Sequence, residues 1–551
     1  MLASSEEAAA ANSERPRWRV YAPSLAVFLL LFGYSAVLQH WNGAFGAEAS
    51  GESDEAAHVV TGLMAHDYVA RGFPGAPFDF AKEFYLHYPK VAIGHWPPFL
   101  YALLSGWMLP FPASIPSLVF LMALLAALFA WLLYGAVLRE FGSQPAAALA
   151  GFFLLSVPLM ERFGGLIMAD LPLALWSVAA ALAWGRYLDS ERLRHAVLFA
   201  LFSSCAILTK GDGLQLAMLP PLTILATRRW RLAGAKGPWL AAILVAALCL
   251  PWTAITMKLV TPTMQNGAGW AFSRIALPFY LIQLSHGAGG LIAALAVVGI
   301  LVRFAPPFRE AAPGGLWVSM AALLFADIVF HAAVPAGLEP RYLITGMFPL
   351  LLFAAAGVDR IGRKRKRYVI AAAAAVTALF FLFTFRITPK YSFGFAEAAA
   401  DIVADPTLSH AAVLASSDRD GEGLLISEIA LRERRNGHYV LRASKMLASS
   451  DWNRMNYRLR YSTAAAVAGL LNTLAVDVVV IDETPGVMHF QHHDLLREAV
   501  QGPEWRLAGV YPKIREGMAP HARVEMFRRR VPGGAFDPSR LSFPDMVKPL
   551  E

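Results

Sequence analysis

Long apolar runs separated by short polar connections fill the first two thirds of the chain. Runs at about 21–38, 117–138, 145–160, 171–187, 196–208, 214–226, 239–257, 279–302, 316–334, 342–358 and 369–385 each read as a helix, several of them short of the roughly 20 residues that cross a bilayer. They predict an α-helical polytopic membrane bundle of about eleven transmembrane helices. One further apolar piece, Pro98 to Leu109, has only about a dozen residues and reads as an interfacial or re-entrant helix. After about Thr388 the pattern changes to short alternating segments. AAVLASS from Ala411, HYVLRA from His438 and VDVVVID from Val476 read as buried strands, with helices in GEGLLISEIALRER and STAAAVAGLLNTL between them. EWRLAGVYPK and ARVEMFRRR read as edge strands. The division expected is a tail at 1–20, a membrane domain at 21–387 with a large first external loop at 39–116, and a soluble α/β domain with a largely parallel sheet at 388–551.

Composition agrees with lipid as part of the solvent: 57% of residues are hydrophobic, 16% charged, and the mean hydropathy is +0.47. The net charge of +8 would suit a nucleic-acid binder, but its Lys and Arg sit in clusters between apolar runs, so no nucleic-acid partner is expected. Arg15, Arg17 and Arg19 precede the first helix. Every second connection after it is basic: Arg139; Arg186, Arg192 and Arg194; Arg228, Arg229, Arg231 and Lys236; Arg303 and Arg309; and DRIGRKRKR from Asp359 to Arg367. This places the N-terminus in the cytoplasm and the C-terminal domain outside it, as in a multi-pass protein of the inner (plasma) membrane of a bacterial cell. Counting Pro98 to Leu109 as a span would put every later cluster on the wrong side. Cys205 and Cys249 lie inside apolar runs and read as small core residues.

The chemistry concentrates on one face. GESDEAAHVVTGLMAH, from Gly51 to His66, sets Asp54 and Glu55 just beyond the first helix, where bilayer anchoring needs no carboxylate pair. The same face receives Asp170, Lys210 with Asp212, the 258–274 loop, and Glu339 with Arg341. Acids and bases at the mouth of a bundle can bind an anionic head group while a carboxylate activates a nucleophile. Lys82, Lys90 and Arg71 are further cations in the first loop. His58, His66, His87 and His95 share that loop, and a divalent metal stays open. Only His58 and His66 have ligand-like spacing, on neighbouring helical turns. SSDRDGEG at 416–423 follows a strand and opens a helix but lacks the glycines of a nucleotide-binding loop. It reads as a capped turn.

Asp-Glu after the first helix, HWPP before the short apolar helix, MADLPLALW, AILTKGDGLQLAMLPPL, LCLPW and EPRYLITGMFPLLL resemble, in order and spacing, the dolichyl-phosphate-mannose protein mannosyltransferase and aminoarabinose transferase superfamily. These are polytopic C-type glycosyltransferases, and the likeness runs from about Tyr21 to Arg386. It implies transfer of a sugar, with inversion, from a polyprenyl-phosphate donor to a lipid, glycan or protein acceptor on the extracytoplasmic face. Asp54 matches the family's catalytic carboxylate and Asp170 its second acidic position, with Glu55 the adjacent position and an alternative base. Lys210 and Arg341 are the nearest cations for the donor phosphate, and Lys82, Lys90 and Arg71 supporting ones. The chain departs from the family at Trp96, inserted where many relatives read His-Pro-Pro. A transporter or flippase of polyprenyl-linked sugars, or a non-enzymatic scaffold, would explain the apolar bundle. Neither explains why Asp54, Asp170, Lys210 and Arg341 share a face, and no internal repeat marks a transporter.

Overall fold

A computed structural model describes residues 17–540 apart from 50, 93, 261–266, 268, 310, 363–365, 419, 450–455, 485–489 and 514–521. The tail before residue 17, residues 261–266 and 268 of the 258–274 loop and the centre of the 359–367 cluster lie outside the described residues. Each apolar run becomes a helix or a pair of helices. Six are long and apolar enough to cross a membrane: Pro23–Trp41, Ile115–Phe141, Asp170–Ser190, Lys236–Thr256, Gly315–Ala333 and Pro340–Ile361. A seventh candidate is a bent pair, Trp270–Ala288 and Gly290–Phe304, whose axes meet at 107°. The single helix expected over 279–302 is therefore two, and it breaks where Gly289 takes φ +85°.

The remaining apolar helices are shorter. Among them are Phe99–Met108, the expected interfacial piece, and Gln144–Ser156, Leu193–Thr209 and Arg367–Phe383. The 214–226 run folds as a 3-10 helix of 8 residues, Gly211–Met218, followed by a 9-residue α-helix, Leu219–Thr227.

Packing inside the bundle depends on glycine. A Cβ on Gly299 would lie 1.8 Å from the Phe353 carbonyl oxygen and one on Gly357 2.3 Å from that of Leu295. The Gly290–Phe304 and Ile344–Gly362 helices thus touch backbone to backbone, as small residues permit in lipid, where dispersion rather than water drives association.

Among the described residues all strands lie between 412 and 529. β1 (Ala412–Ser416), β2 (Tyr439–Arg442), β5 (Val476–Asp482), β6 (Trp505–Pro512) and β7 (Arg523–Arg529) form one sheet in the order β2-β1-β5-β7-β6, and β3 (Ala448–Ser449) pairs with β4 (Arg458–Leu459). β2, β1 and β5 are parallel, β7 runs antiparallel between β5 and β6, and β6 returns in the direction of β5. The sheet is mixed, and ARVEMFRRR is an interior strand. Val524 to Phe527 are all buried, as suits a strand paired on both sides, and the edges are β2 and β6, the latter with exposed Leu507 and Val510.

The sheet is held to the first loop by charge. Arg435 donates to both Asp67 oxygens at 2.7 Å, Tyr88 donates to Glu433, and the His87 ring stacks on Tyr439 at 4.0 Å. Buried carboxylates fasten the connector ahead of it: Glu161 accepts from the Thr388 N–H at 3.0 Å, and Glu48 from the N–H groups of Phe393 and Ala396 at 3.1 and 2.8 Å. Glu48 thereby caps the Phe395–Ala404 helix from a distant loop.

Burial pushes the Glu48 carboxyl up to about 7. A carboxyl that holds its proton more tightly folded than unfolded favours the fold most below its ordinary value of 4.5 and loses that contribution as pH rises through about 7. Glu48→Gln should therefore flatten the decline of the thermal midpoint between about pH 5 and pH 8, read by scanning fluorimetry in detergent.

Candidate active site

Four elements distant in sequence meet at the bundle mouth. Asp54 is the residue before the Glu55–Ala70 helix, and Asp170 opens the Asp170–Ser190 helix. Lys210 ends the Leu193–Thr209 helix in extended conformation, and Arg341 lies in the 3-10 turn Pro340–Leu343. Chain ends of helices are where a charged side chain can reach polar space without crossing lipid.

Two ion pairs organise the cluster. Arg341 Nη2 donates to Asp54 Oδ2 at 3.2 Å, and Nη1 lies 3.3 Å from Glu52 Oε2. Lys210 Nζ donates to Asp170 Oδ1 at 2.8 Å and lies 2.9 Å from Asp212 Oδ2. Both cations share the Tyr342 ring, with Lys210 Nζ 3.9 Å and the Arg341 guanidinium carbon 5.7 Å from its centroid. Arg341 is buried; its Nε has no hydrogen-bond partner among the described residues, and Nη1 meets Glu52 as an ion pair without hydrogen-bond geometry. Its guanidinium retains N–H groups for a ligand. The sequence expectation that Asp54, Asp170, Lys210 and Arg341 share a face thus becomes contact, and Glu52 and Asp212 join them.

His58 is the residue that sequence reasoning placed only among metal candidates. Four positions after Asp54, it shares the same helical face, and that i, i+4 spacing was the available signal. Its ring sits 4.4 Å from that of Trp96, with Nδ1 3.1 Å from the Tyr101 hydroxyl. Burial pulls the imidazole down to about 4, more than Asp54 and Asp170 push it up. It is a neutral hydrogen-bonding group beneath the carboxylates at neutral pH.

Glu55 is placed differently from its neighbour. It is buried, and its carboxylate accepts from the N–H groups of Gly51 at 2.9 Å and Ile167 at 2.8 Å. Burial raises its pKa. These bonds tie the approach to Asp54 to the loop that delivers Asp170. Lys90 lies against Gly423 of the Gly421–Arg432 helix, and burial pulls its ammonium down to about 8 while Asp54, Asp420 and Glu422 oppose the shift. Arg71 and Lys82 are elsewhere. Arg71 donates to the Arg435 carbonyl at 2.6 Å, and exposed Lys82 faces Asp79 at 3.5 Å.

The histidines disperse as well. His66 is beside Asp67 at 2.9 Å, His87 meets the His438 carbonyl, and His95 packs edge-on against Trp96. No group of three His, Cys, Asp or Glu side chains able to hold a metal ion occurs among the described residues.

The family model for dolichyl-phosphate-mannose-protein mannosyltransferase matches residues 95–255. Comparison with curated proteins finds no match. Among solved structures, ArnT from Cupriavidus metallidurans bound to undecaprenyl phosphate is similar with a TM-score of 0.56 at 15% identity, over 93% of this chain and 98% of that one. The apo state of ArnT gives 0.57 at 14%, over 90% and 97%. The archaeal oligosaccharyltransferase AglB from Archaeoglobus fulgidus, in complex with an inhibitory peptide and a dolichol-phosphate, gives 0.53 at 14%, over 85% and 70%. The resemblance read from the motifs stands, and the fold is that of the polytopic C-type glycosyltransferases.

The Glu55 geometry generates a test. Removal of both acceptors in Glu55→Ala leaves two backbone N–H groups unpaired and should lower stability by about 1–3 kcal/mol, whereas Glu55→Gln keeps one acceptor and should cost less. Chemical unfolding of the two purified variants checks the order.

Proposed function

We propose that the chain is a membrane glycosyltransferase that moves a sugar from a polyprenyl-phosphate donor to a hydroxyl-bearing acceptor on the extracytoplasmic face, with Asp54 as general base. The observation that carries this reading is the convergence of Asp54, Asp170, Lys210 and Arg341, from four separate elements, around a buried arginine whose Nε has no hydrogen-bond partner among the described residues. The solved relatives bound to undecaprenyl phosphate and dolichol-phosphate support the donor class.

In the proposed reaction Asp54 takes the acceptor proton as the acceptor oxygen attacks the anomeric carbon, and the bond from that carbon to the phosphate oxygen breaks on the opposite side. Inversion follows from the single displacement. The leaving polyprenyl phosphate carries its negative charge away and needs cations rather than an acid. The spare N–H groups of Arg341 and the ammonium of Lys210 supply them. Asp170 and Asp212 keep Lys210 oriented, and Glu52 does the same for Arg341. Glu55 serves as a positioning carboxylate. Lys90, against the Gly421–Arg432 helix and within electrostatic reach of Asp54, is a supporting cation.

The topology proposed with this reaction has about eleven spans, the shorter helices and the 3-10 stretch included, with the N-terminus cytoplasmic. The region 388–551 then lies on the side of Asp54, in keeping with its direct contacts to the Glu55–Ala70 and Pro77–His87 helices. It covers the first loop as a domain of its own, and the inner membrane of a bacterium fits this arrangement.

Asp54→Asn should reduce turnover by about 10²–10⁴-fold while donor binding and folding persist. Arg341→Ala should weaken binding of a polyprenyl phosphate by about tenfold or more, and Arg341→Lys should not restore it, because an ammonium cannot reproduce the planar fork. In vitro sugar transfer and lipid-phosphate titration on matched, folded protein read the two effects. Normal turnover in Asp54→Asn would remove that residue from the base role.

A further inference from the structure

Beneath the Tyr342 ring lies a second polar cluster that the proposed reaction does not use. Asp327 and His331, one turn apart on the Gly315–Ala333 helix, and Gln215, in the 3-10 helix Gly211–Met218, are all buried inside the bundle. The Asp327 carboxylate faces the His331 ring, Oδ1 to Nε2 3.6 Å, and the Gln215 amide. Asp327, Gln215 and His331 Nε2 make only long contacts, and those with one another, and none is a hydrogen bond of ordinary length among the described residues. Buried polar groups held at such separations weaken a bundle, and apolar side chains of like volume would fill the space without that cost. Polar residues inside a membrane span point to function rather than to packing.

The contacts show which function. The His331 ring stacks on that of Tyr342, centroids 5.2 Å apart and planes 25° from parallel, and lies 5.7 Å from that of Tyr280. Tyr342 is the ring that both Lys210 and Arg341 rest against. A Cβ on Gly346 would sit 3.0 Å from Asp327 Oδ2, so the helix that follows Arg341 and Tyr342 is seated directly on the carboxylate. Gln215 comes from the segment that carries Asp212, the partner of Lys210. The cluster therefore joins the three elements whose relative placement fixes the distance between the two cations.

We propose that Gln215, Asp327 and His331 are positioning residues for the lipid phosphate, fixing the Tyr342 ring and through it the spacing of Lys210 and Arg341. This rests on the reading of those two cations as the phosphate cradle. Small displacements in a packed support can alter affinity severalfold without touching the ligand.

The test measures affinity for undecaprenyl phosphate, as the probe alone, together with the thermal midpoint, in the full-length protein. His331→Ala should weaken binding about tenfold at an unchanged midpoint, and His331→Phe, which keeps a ring against Tyr342, should restore it. Gln215→Leu, an apolar replacement, gives a second variant that should weaken binding should His331→Ala fail to fold. Arg341→Ala, measured alongside, separates the two readings. If Arg341→Ala weakens binding while His331→Ala and Gln215→Leu bind normally, the positioning role is overturned and the cradle stands. If Arg341→Ala itself binds normally, both fall. A loss of affinity that tracks a lowered midpoint and is not recovered by Phe would reduce the cluster to a structural one and overturn the proposal.

Discussion

The structure depends on placing two cations among four carboxylates at the mouth of a lipid-embedded bundle. Arg341 lies between Glu52 and Asp54, Lys210 between Asp170 and Asp212, and one aromatic ring, Tyr342, backs both. Charges in such a setting repay their desolvation only when each is paired in good geometry. That requirement explains why the participating residues sit at helix ends rather than helix centres.

The acidic side chains divide by what their oxygens accept. Glu48, Glu55 and Glu161 are buried and accept from backbone N–H groups, so they join loops to one another and to the connector ahead of the sheet. Asp54, Asp170, Glu52 and Asp212 face cations. Adjacent residues fall into different groups: one position of offset at the start of the Glu55–Ala70 helix turns Glu55 toward the Ile167 N–H and leaves Asp54 toward Arg341. A carboxylate fixed by two backbone donors is a support. One held by a guanidinium with spare N–H groups can respond when a phosphate arrives.

Much of this was legible in the sequence. Apolar runs located most helices of the bundle because lipid demands long hydrophobic segments, and the alternation after Thr388 located the strands of the main sheet. Asp54, Asp170, Lys210 and Arg341 could be picked out because charge at the rim of an apolar run has no packing reason to be there. What could not be read depends on three-dimensional proximity. The break at Gly289 depends on how its neighbours pack, and the interior position of β7 depends on which strand it pairs with. Glu52 gains meaning only when Arg341 arrives from elsewhere. Arg71 and Lys82 looked equivalent to Lys90 in a list of loop cations, yet the fold sends them to Arg435 and Asp79. His58 resembled a ligand in a histidine-rich loop, whereas its burial against Trp96 and Tyr101 makes it a neutral ring under the carboxylates.

The central claim is that the space beside Arg341 and Lys210 receives a lipid-linked phosphate. The most direct measurement is a cryo-electron microscopy map of the full-length protein with undecaprenyl phosphate in a lipid nanodisc. The account predicts phosphate density within about 4 Å of both the Arg341 guanidinium and the Lys210 ammonium, at charge-assisted hydrogen-bond distance, with the polyprenyl tail leaving toward lipid. Phosphate density at another cation, such as Lys82 or Arg71, with the Arg341–Asp54 and Lys210–Asp170 pairs undisturbed, would contradict it.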